Sequence, residues 1–215
     1  MEVNLVINKY RHLRLRFFKW EHELDNVYKL ILAFSFAVFT GISAQLRLYL
    51  PFTPVPITGQ VFAVLLAGVV LGKWFGGLSQ GLYVGIGALG VPWFAGMNGG
   101  VTYLIGPTYG YLIGFIVVAT LIGWLTERHI RARSLTTLIP LMLSGVLIIY
   151  LFGAVYLYLL LGTTFEQTMV IAVLPYIPLD IIKAVTVSFI GFAIIPKASF
   201  NGEVDKAKIK NWNLI

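Results

Sequence analysis

The feature that most constrains this chain is a succession of long apolar runs, with almost all the charge confined to the segments between them. Crossing the hydrocarbon core of a bilayer as a helix takes about 20 mostly apolar residues. Backbone groups in hydrocarbon must pair within their own segment, so runs of this kind fold as helices. Six candidate spans follow, at roughly 27–46, 58–72, 75–90, 107–126, 137–161 and 168–195. The second and third are short and glycine-rich, and Lys73 and Trp74 divide them. The sixth is too long for one straight span, and Pro175 and Pro178 interrupt it. A proline costs little in the first helical turn, where its missing N–H would be unpaired anyway. The last regular helix is therefore expected to start near Pro178. Composition agrees with this reading: the chain is 58% hydrophobic and 12% charged, against about 45–50% and about 25% in soluble domains. The expected fold class is an all-α integral membrane protein, a six-transmembrane-helix bundle. The absence of Cys excludes a disulfide framework and thiolate chemistry. The first apolar run follows a charged segment and exceeds a signal core in length, so no cleavable signal peptide is expected.

The basic residues orient the bundle. Lys9, Arg11, Arg14, Arg16, Lys19 and Lys29 lead into the first span. Lys73 lies in the second connection, and Arg128, Arg131 and Arg133 in the fourth. Lys197, Lys206, Lys208 and Lys210 lie in the tail. Together these are 14 of the 16 Lys and Arg residues, all on one side of the six-span reading. Loops rich in Lys and Arg stay cytoplasmic, so both termini are expected to be cytoplasmic, in the cell (plasma) membrane. Residues 1–26 form a basic N-terminal segment, 27–196 the membrane domain and 197–215 a cytoplasmic tail. Leu13, Phe17, Trp20 and Leu24 recur at helical spacing among basic residues. That pattern fits a short helix lying on the anionic inner leaflet, and an ordinary positive-inside flank accounts for the same charges. Under either reading the net charge of +7 belongs to the lipid bilayer, and no nucleic-acid partner is expected.

Three unusual connections fall on the opposite face. The first, "RLYLPFTPVPITGQ", contains Pro51, Pro54 and Pro56, which fix φ and force their preceding residues extended. The third, "VPWFAGMNGGVTYLIGP", carries aromatics and glycines and no charge. The fifth is "GTTFEQT". Irregular backbone at membrane depth persists only where it is buried in protein or lines a cavity. The first and third connections therefore read as a lid over a cavity, or else as tight loops in the headgroup layer with interface aromatics.

"PLDIIKAV", Pro178 to Val185, places two charges in an apolar run under those connections. Asp180 and Lys183 lie in the first two turns of the last helix, and at i,i+3 they share a face. Intramembrane ionisable residues face a bundle interior and pair. One reading is a structural ion pair, with Asp180 also complementing the helix dipole. The other is a site for a ligand bearing an anion and N–H donors, Lys183 meeting the first and Asp180 the second.

Other motifs carry less. The rows Gly68/Gly72/Gly76, Gly77/Gly81/Gly85 and Gly106/Gly110/Gly114 repeat at i,i+4 and are read as close helix packing. "GLSQG" matches G-x-S-x-G, but a Ser nucleophile needs a base, and His12, His22 and His129 all lie on cytoplasmic segments. A membrane serine hydrolase using Ser79 is the alternative enzyme reading; no enzyme is expected. "GVVLGKW" is one residue short of a phosphate-binding loop and ends in Trp. No metal, cofactor or nucleotide site is inferred. The spans hold no row of carboxylates for proton relay and no duplicated broken helix, so any uphill transport would draw its energy from a partner.

Four segments, "PFTPVPITGQ" (51–60), "LYVGIGALGVPWFAG" (82–96), "GPTYGYLIGF" (106–115) and "LPYIPLDIIKAV" (174–185), occur together in this order. With them the chain resembles the BioY family, the biotin-specific substrate-binding (S) subunits of energy-coupling-factor (ECF) transporters. The resemblance implies a high-affinity biotin site facing outward on a six-helix bundle. It also implies partners: a transmembrane coupling subunit and two cytoplasmic ATPase subunits. Family roles fall on Asp180 and Lys183, and on Asn98 in the third connection; Gln60, which closes the first motif, joins the binding candidates. Trp93, Phe94 and Tyr111 are candidate apolar walls for the ring system. Ala33 and Ala37 match the A-x-x-x-A pattern with which such subunits pack on the coupling protein. Leu179 and Tyr109 stand where glycine is expected in the family, and both enlarge a side chain near the expected pocket. An S subunit for another small vitamin-like anion, or a scaffold without ligand, are the remaining alternatives.

Overall fold

The computed structural model describes residues 9–10, 12–16, 23–197 and 203–204. Its order is α1 (Asn26–Gln45), β1 (Arg47–Leu48), β2 (Ile57–Thr58), α2 (Gln60–Ala88), α3 (Val101–Leu104), α4 (Tyr109–Arg128), a 3-10 turn (Ile130–Arg133), α5 (Leu135–Leu161), α6 (Phe165–Ala172) and α7 (Ile177–Ile194). Five of these helices, α1, α2, α4, α5 and α7, are long and apolar enough to cross a membrane. Three of them, α1, α4 and α5, match expected spans closely. The helical pattern expected through Phe17 and Trp20 lies outside the described residues, as do His22 and most of the tail.

The second and third expected spans occur as the single stretch α2, broken at Gly72. Gly72 adopts φ 72° and ψ −166°, a region open essentially only to glycine. There the chain folds back on itself. A Cβ on Gly76 would lie 3.1 Å from the Gly68 Cα, and Gln60 Nε2 donates to Tyr83 Oη at 2.8 Å. In a straight helix residues 60 and 83 would be roughly 35 Å apart at 1.5 Å per residue. The two legs, 60–71 and 73–88, thus form a tight helical hairpin. The break comes one residue before the Lys73-Trp74 divide.

Close approach explains part of the glycine pattern. Added Cβ atoms would lie 2.7 Å from the Ala119 carbonyl oxygen at Gly68, 2.1 Å from Thr120 Oγ1 at Gly77 and 2.3 Å from the Phe152 carbonyl oxygen at Gly110. These positions seat α4 between the α2 hairpin and α5. Gly81 and Gly85 correct the expectation, because a Cβ there would meet nothing within 4 Å.

Ala33 and Ala37 face the interior of the bundle. Both are fully buried within the chain itself. They continue into Thr40, which is 3.2 Å from Gln80 Nε2, and Lys29 lies over Phe75. The small-residue stripe of α1 is therefore used for packing along leg 73–88, not held open on the surface.

The last expected span divides in two. Thr164 caps α6 in a reciprocal box with Gln167. The chain then breaks at 173–176, and α7 begins with Pro178 in its first turn, as the proline argument required.

The basic ends of the helices gather together. Arg14 donates to the carbonyls of Phe192, at 2.9 Å, and Ile195, and Tyr10 to that of Ala193. The Glu127 carboxylate lies against Gly72. Arg133, fully buried, donates to the carbonyls of Thr126 at 2.7 Å and Pro196 at 3.2 Å, and pairs with Glu203 at 2.8 Å. The cavity lies at the other end of α4.

Candidate functional site

The first connection folds partly inward. Arg47 and Leu48 pair antiparallel with Thr58 and Ile57, which closes the proline-rich segment into a hairpin. Thr53, Val55 and Pro56 are buried. Three bonds pin the loop to the region around the start of α7. Thr53 Oγ1 donates to the Ile171 carbonyl at 2.7 Å, Tyr176 Oη to the Val55 carbonyl at 2.8 Å and Lys183 Nζ to the Thr58 carbonyl at 2.6 Å.

The third connection is seated as firmly. Gln45, the last residue of α1, donates to the carbonyls of Trp93 at 3.1 Å and Phe94 at 3.0 Å. Its Oε1 accepts from the Met97 N–H at 3.1 Å. Phe94 is fully buried, stacked on Tyr103 at 4.9 Å between ring centroids and edge-on to Tyr83 at 5.4 Å. Burial pushes the Tyr103 hydroxyl above its usual pKa.

Beneath these two loops lies a cavity of about 550 Å³, counting the space at its mouth. The first connection contributes Val55 to Thr58 to its walls, and the third connection contributes Ala95, Tyr103 and Thr108. Gln60, Tyr83, Tyr111, Tyr150, Tyr176 and Asp180 supply its polar atoms, and Leu112, Phe115 and Ile149 its apolar floor. Mostly apolar walls with a few convergent polar groups are the usual make-up of such a pocket.

Asp180 and Lys183 form the expected pair. Lys183 Nζ lies 2.6 Å from Asp180 Oδ1, with the lysine side chain 17% exposed and the aspartate side chain 4%. The Tyr150 hydroxyl donates to Asp180 Oδ2 at 2.8 Å. A buried carboxylate is costly unless paired and hydrogen-bonded, and here both oxygens have partners. Lys183 stands one bond behind the lining, bridging Asp180 to the Thr58 carbonyl of the first connection.

The other candidates divide. Gln60 and Tyr111 line the cavity; Gln60 is oriented by Tyr83 and Thr58, and the Tyr111 hydroxyl donates to the Ala172 carbonyl at 2.7 Å. Trp93, Phe94 and Asn98 are not among the lining residues. Trp93 Nε1 donates to the Tyr83 carbonyl at 2.9 Å, Phe94 is packed behind Tyr103, and exposed Asn98 bonds the Ala95 carbonyl at 2.8 Å. They shape the third connection from behind. Leu179 is 41% exposed and points away, and Tyr109 packs edge-on to Tyr156 at 5.1 Å between ring centroids. Neither large side chain enters the cavity.

Tyr150, Tyr176 and Thr58 escaped sequence reasoning. Tyr150 had one usable signal: a hydroxyl-bearing residue in the middle of the apolar run of α5 needs a buried partner. Ser79 is buried, donates to the Gly76 carbonyl at 2.7 Å and has no histidine bonded to it among the described residues.

Comparisons with known proteins bear on this arrangement. A model of the BioY family matches residues 16–199. The chain is 43% identical over 156 residues to the probable biotin transporter BioY of Methanothermobacter thermautotrophicus, covering 69% of this chain and 99% of that one. Identity to the biotin transporter BioY of Thermotoga maritima is 36% over 166 residues, covering 77% of this chain and 95% of that one. Among solved structures, the S-component for biotin from an ECF-type ABC transporter superposes with TM-score 0.71 at 28% identity, covering 79% of this chain and 93% of that one. Every residue that lines the cavity, from Val55 to Asp180, falls within the span matched by the family model, and the chain belongs to the BioY family.

Proposed function

We propose that this chain is a biotin-binding substrate-specificity subunit that serves ATP-driven biotin uptake, without catalysis of its own. The observation that carries the reading is a buried acid–base pair at a mostly apolar cavity. Biotin offers a valerate carboxylate, a ureido ring with two N–H donors and an acceptor, and an apolar thioether ring. The cavity offers a carboxylate for the N–H donors, a lysine within reach for the anion, and aliphatic and aromatic walls for the rest. On binding, Lys183 turns from Asp180 to the ligand carboxylate, and Asp180 accepts from the ureido ring.

The bundle crosses the plasma membrane six times, the two legs of α2 counting as two crossings, with both termini cytoplasmic. The gathering of Arg14, Lys29, Lys73 and Arg133 at the end away from the cavity supports this orientation. The proposed partners are a transmembrane coupling subunit and two ATPase subunits. They would engage a surface other than Ala33 and Ala37, which the chain already covers.

Isothermal titration calorimetry of the purified protein is expected to show tight biotin binding, with a loss of at least about 100-fold in Lys183→Ala, the order expected when one member of a buried pair is removed. Wild-type affinity no better than millimolar would overturn the reading. Mass spectrometry of the ligand that co-purifies separates biotin from another vitamin-like anion.

A further inference from the structure

Five tyrosines line the cavity: Tyr83, Tyr103, Tyr111, Tyr150 and Tyr176. Tyr111 and Tyr176 donate to backbone carbonyls, at 2.7 and 2.8 Å, and Tyr83 accepts from Gln60. Those hydroxyls brace the loops and helices of the pocket. Tyr150 differs. Its hydroxyl donates to Asp180 Oδ2, while Lys183 occupies Oδ1. It projects from the middle of α5, a different element from the Asp180–Lys183 pair, and is itself buried. No backbone group shares its hydrogen bond among the described contacts.

This geometry has a consequence for a ligand that carries its own anion. When Lys183 turns to the ligand, Asp180 loses its cation, and a buried carboxylate without a compensating partner is strongly disfavoured. One donor remains in place on α5 while α7 rearranges its lysine. We propose that Tyr150 is the positioning residue that holds the Asp180 carboxylate, aimed and solvated, while Lys183 is engaged by the ligand's anion. Oδ1, vacated by Lys183, then faces the ligand's N–H donors, and Oδ2 stays on Tyr150. The proposal rests on the biotin reading above, and it assigns Tyr150 a role that depends on the charge of the ligand.

The test compares biotin with biotinamide, whose side chain is neutral and leaves Lys183 on Asp180. Tyr150→Phe keeps the ring and removes one oxygen. It is expected to raise the Kd for biotin about tenfold, as for a lost hydrogen bond to a charged group, and that for biotinamide by less than about threefold. Competition against labelled biotin reads both ligands on the same preparation. A purely structural tyrosine would weaken both ligands equally, and equal weakening overturns the proposal. So does a biotin Kd within about threefold of wild type. Should Tyr150→Phe fail to fold, Tyr150→Met, which also lacks the hydroxyl, is read by the same ratio: a loss for biotin at least about threefold greater than for biotinamide is expected, and an equal loss, or none, overturns the proposal. If wild type fails to bind biotin at all, it is the biotin reading that falls, whatever the variants do.

Discussion

At the scale of single residues, the site is asymmetric in a way that sequence spacing could not show. A bare ion pair survives exchange of its members. This one is not expected to, because its surroundings differ: Asp180 faces the Tyr150 hydroxyl, and Lys183 faces the Thr58 carbonyl. The double exchange Asp180→Lys with Lys183→Asp would set a carboxylate against that carbonyl oxygen. It is expected to lower the thermal midpoint and to abolish measurable biotin binding, read by melting in detergent and by calorimetry. Wild-type behaviour would mean that the pair is a structural tie and nothing more. The two charges were legible in the sequence because a charge in hydrocarbon is expensive and therefore conspicuous. The tyrosines were less so, because a hydroxyl in an apolar run, such as that of Tyr150, asks for a partner without saying which, and only the fold shows which hydroxyl meets a carboxylate. The placing of Trp93, Phe94 and Asn98 off the cavity lining was illegible for the converse reason. Aromatics in a loop pack either toward a cavity or behind it, and the sequence pattern is the same in both cases.

At the scale of elements, the break in α2 sets the positions of everything around it. Gly72 sits at positive φ, and a Cβ there would lie 1.8 Å from Glu127 Oε1. Gly72→Ala is expected to destabilise the protein by roughly 1–3 kcal/mol from backbone strain alone, seen as a lowered melting temperature. Gly81→Ala and Gly85→Ala serve as contrasts. Their added methyls meet nothing, and alanine in a helix interior gains roughly 0.5–1 kcal/mol over glycine, so both should melt at or above wild type. The i,i+4 spacing marked all three rows of glycines as close-packing sites. It does not say which face of each helix meets a neighbour, and the outward face of leg 73–88 carries Gly81 and Gly85.

At the scale of the whole molecule, the two ends of the bundle do different work. One end holds the cavity under the first and third connections. The other gathers the N-terminal segment, the bend at Gly72, the turn after α4 and the start of the tail around Arg14 and Arg133. Glu203 and Arg133 form a pair buried on both sides. Glu203→Ala removes one member of that pair and is expected to cost about 3–5 kcal/mol. Biotin affinity should change by less than about twofold, because along α4 the pair, bonded at Thr126, lies roughly 16 Å from Phe115, the deepest lining residue of that helix, at 1.5 Å per residue. Melting curves and calorimetry on the same sample check both halves. A large loss of affinity would show that the two ends communicate.

By itself the sequence determined the class of fold, the approximate places of the helices, the proline-controlled start of α7 and the two charges at the heart of the site. These follow from local physics: the length needed to cross hydrocarbon, the missing N–H of proline and the cost of burying charge. Only the tertiary structure decided that leg 60–71 folds back on leg 73–88, that Ala33 and Ala37 are covered, that Leu179 points away and that Tyr150 reaches Asp180. Each of these depends on which faces of distant segments meet, and a side chain's neighbours across 30 or 125 residues of chain, as for Tyr150 with Asp180 and Lys183 with Thr58, are set by packing rather than by spacing along the sequence.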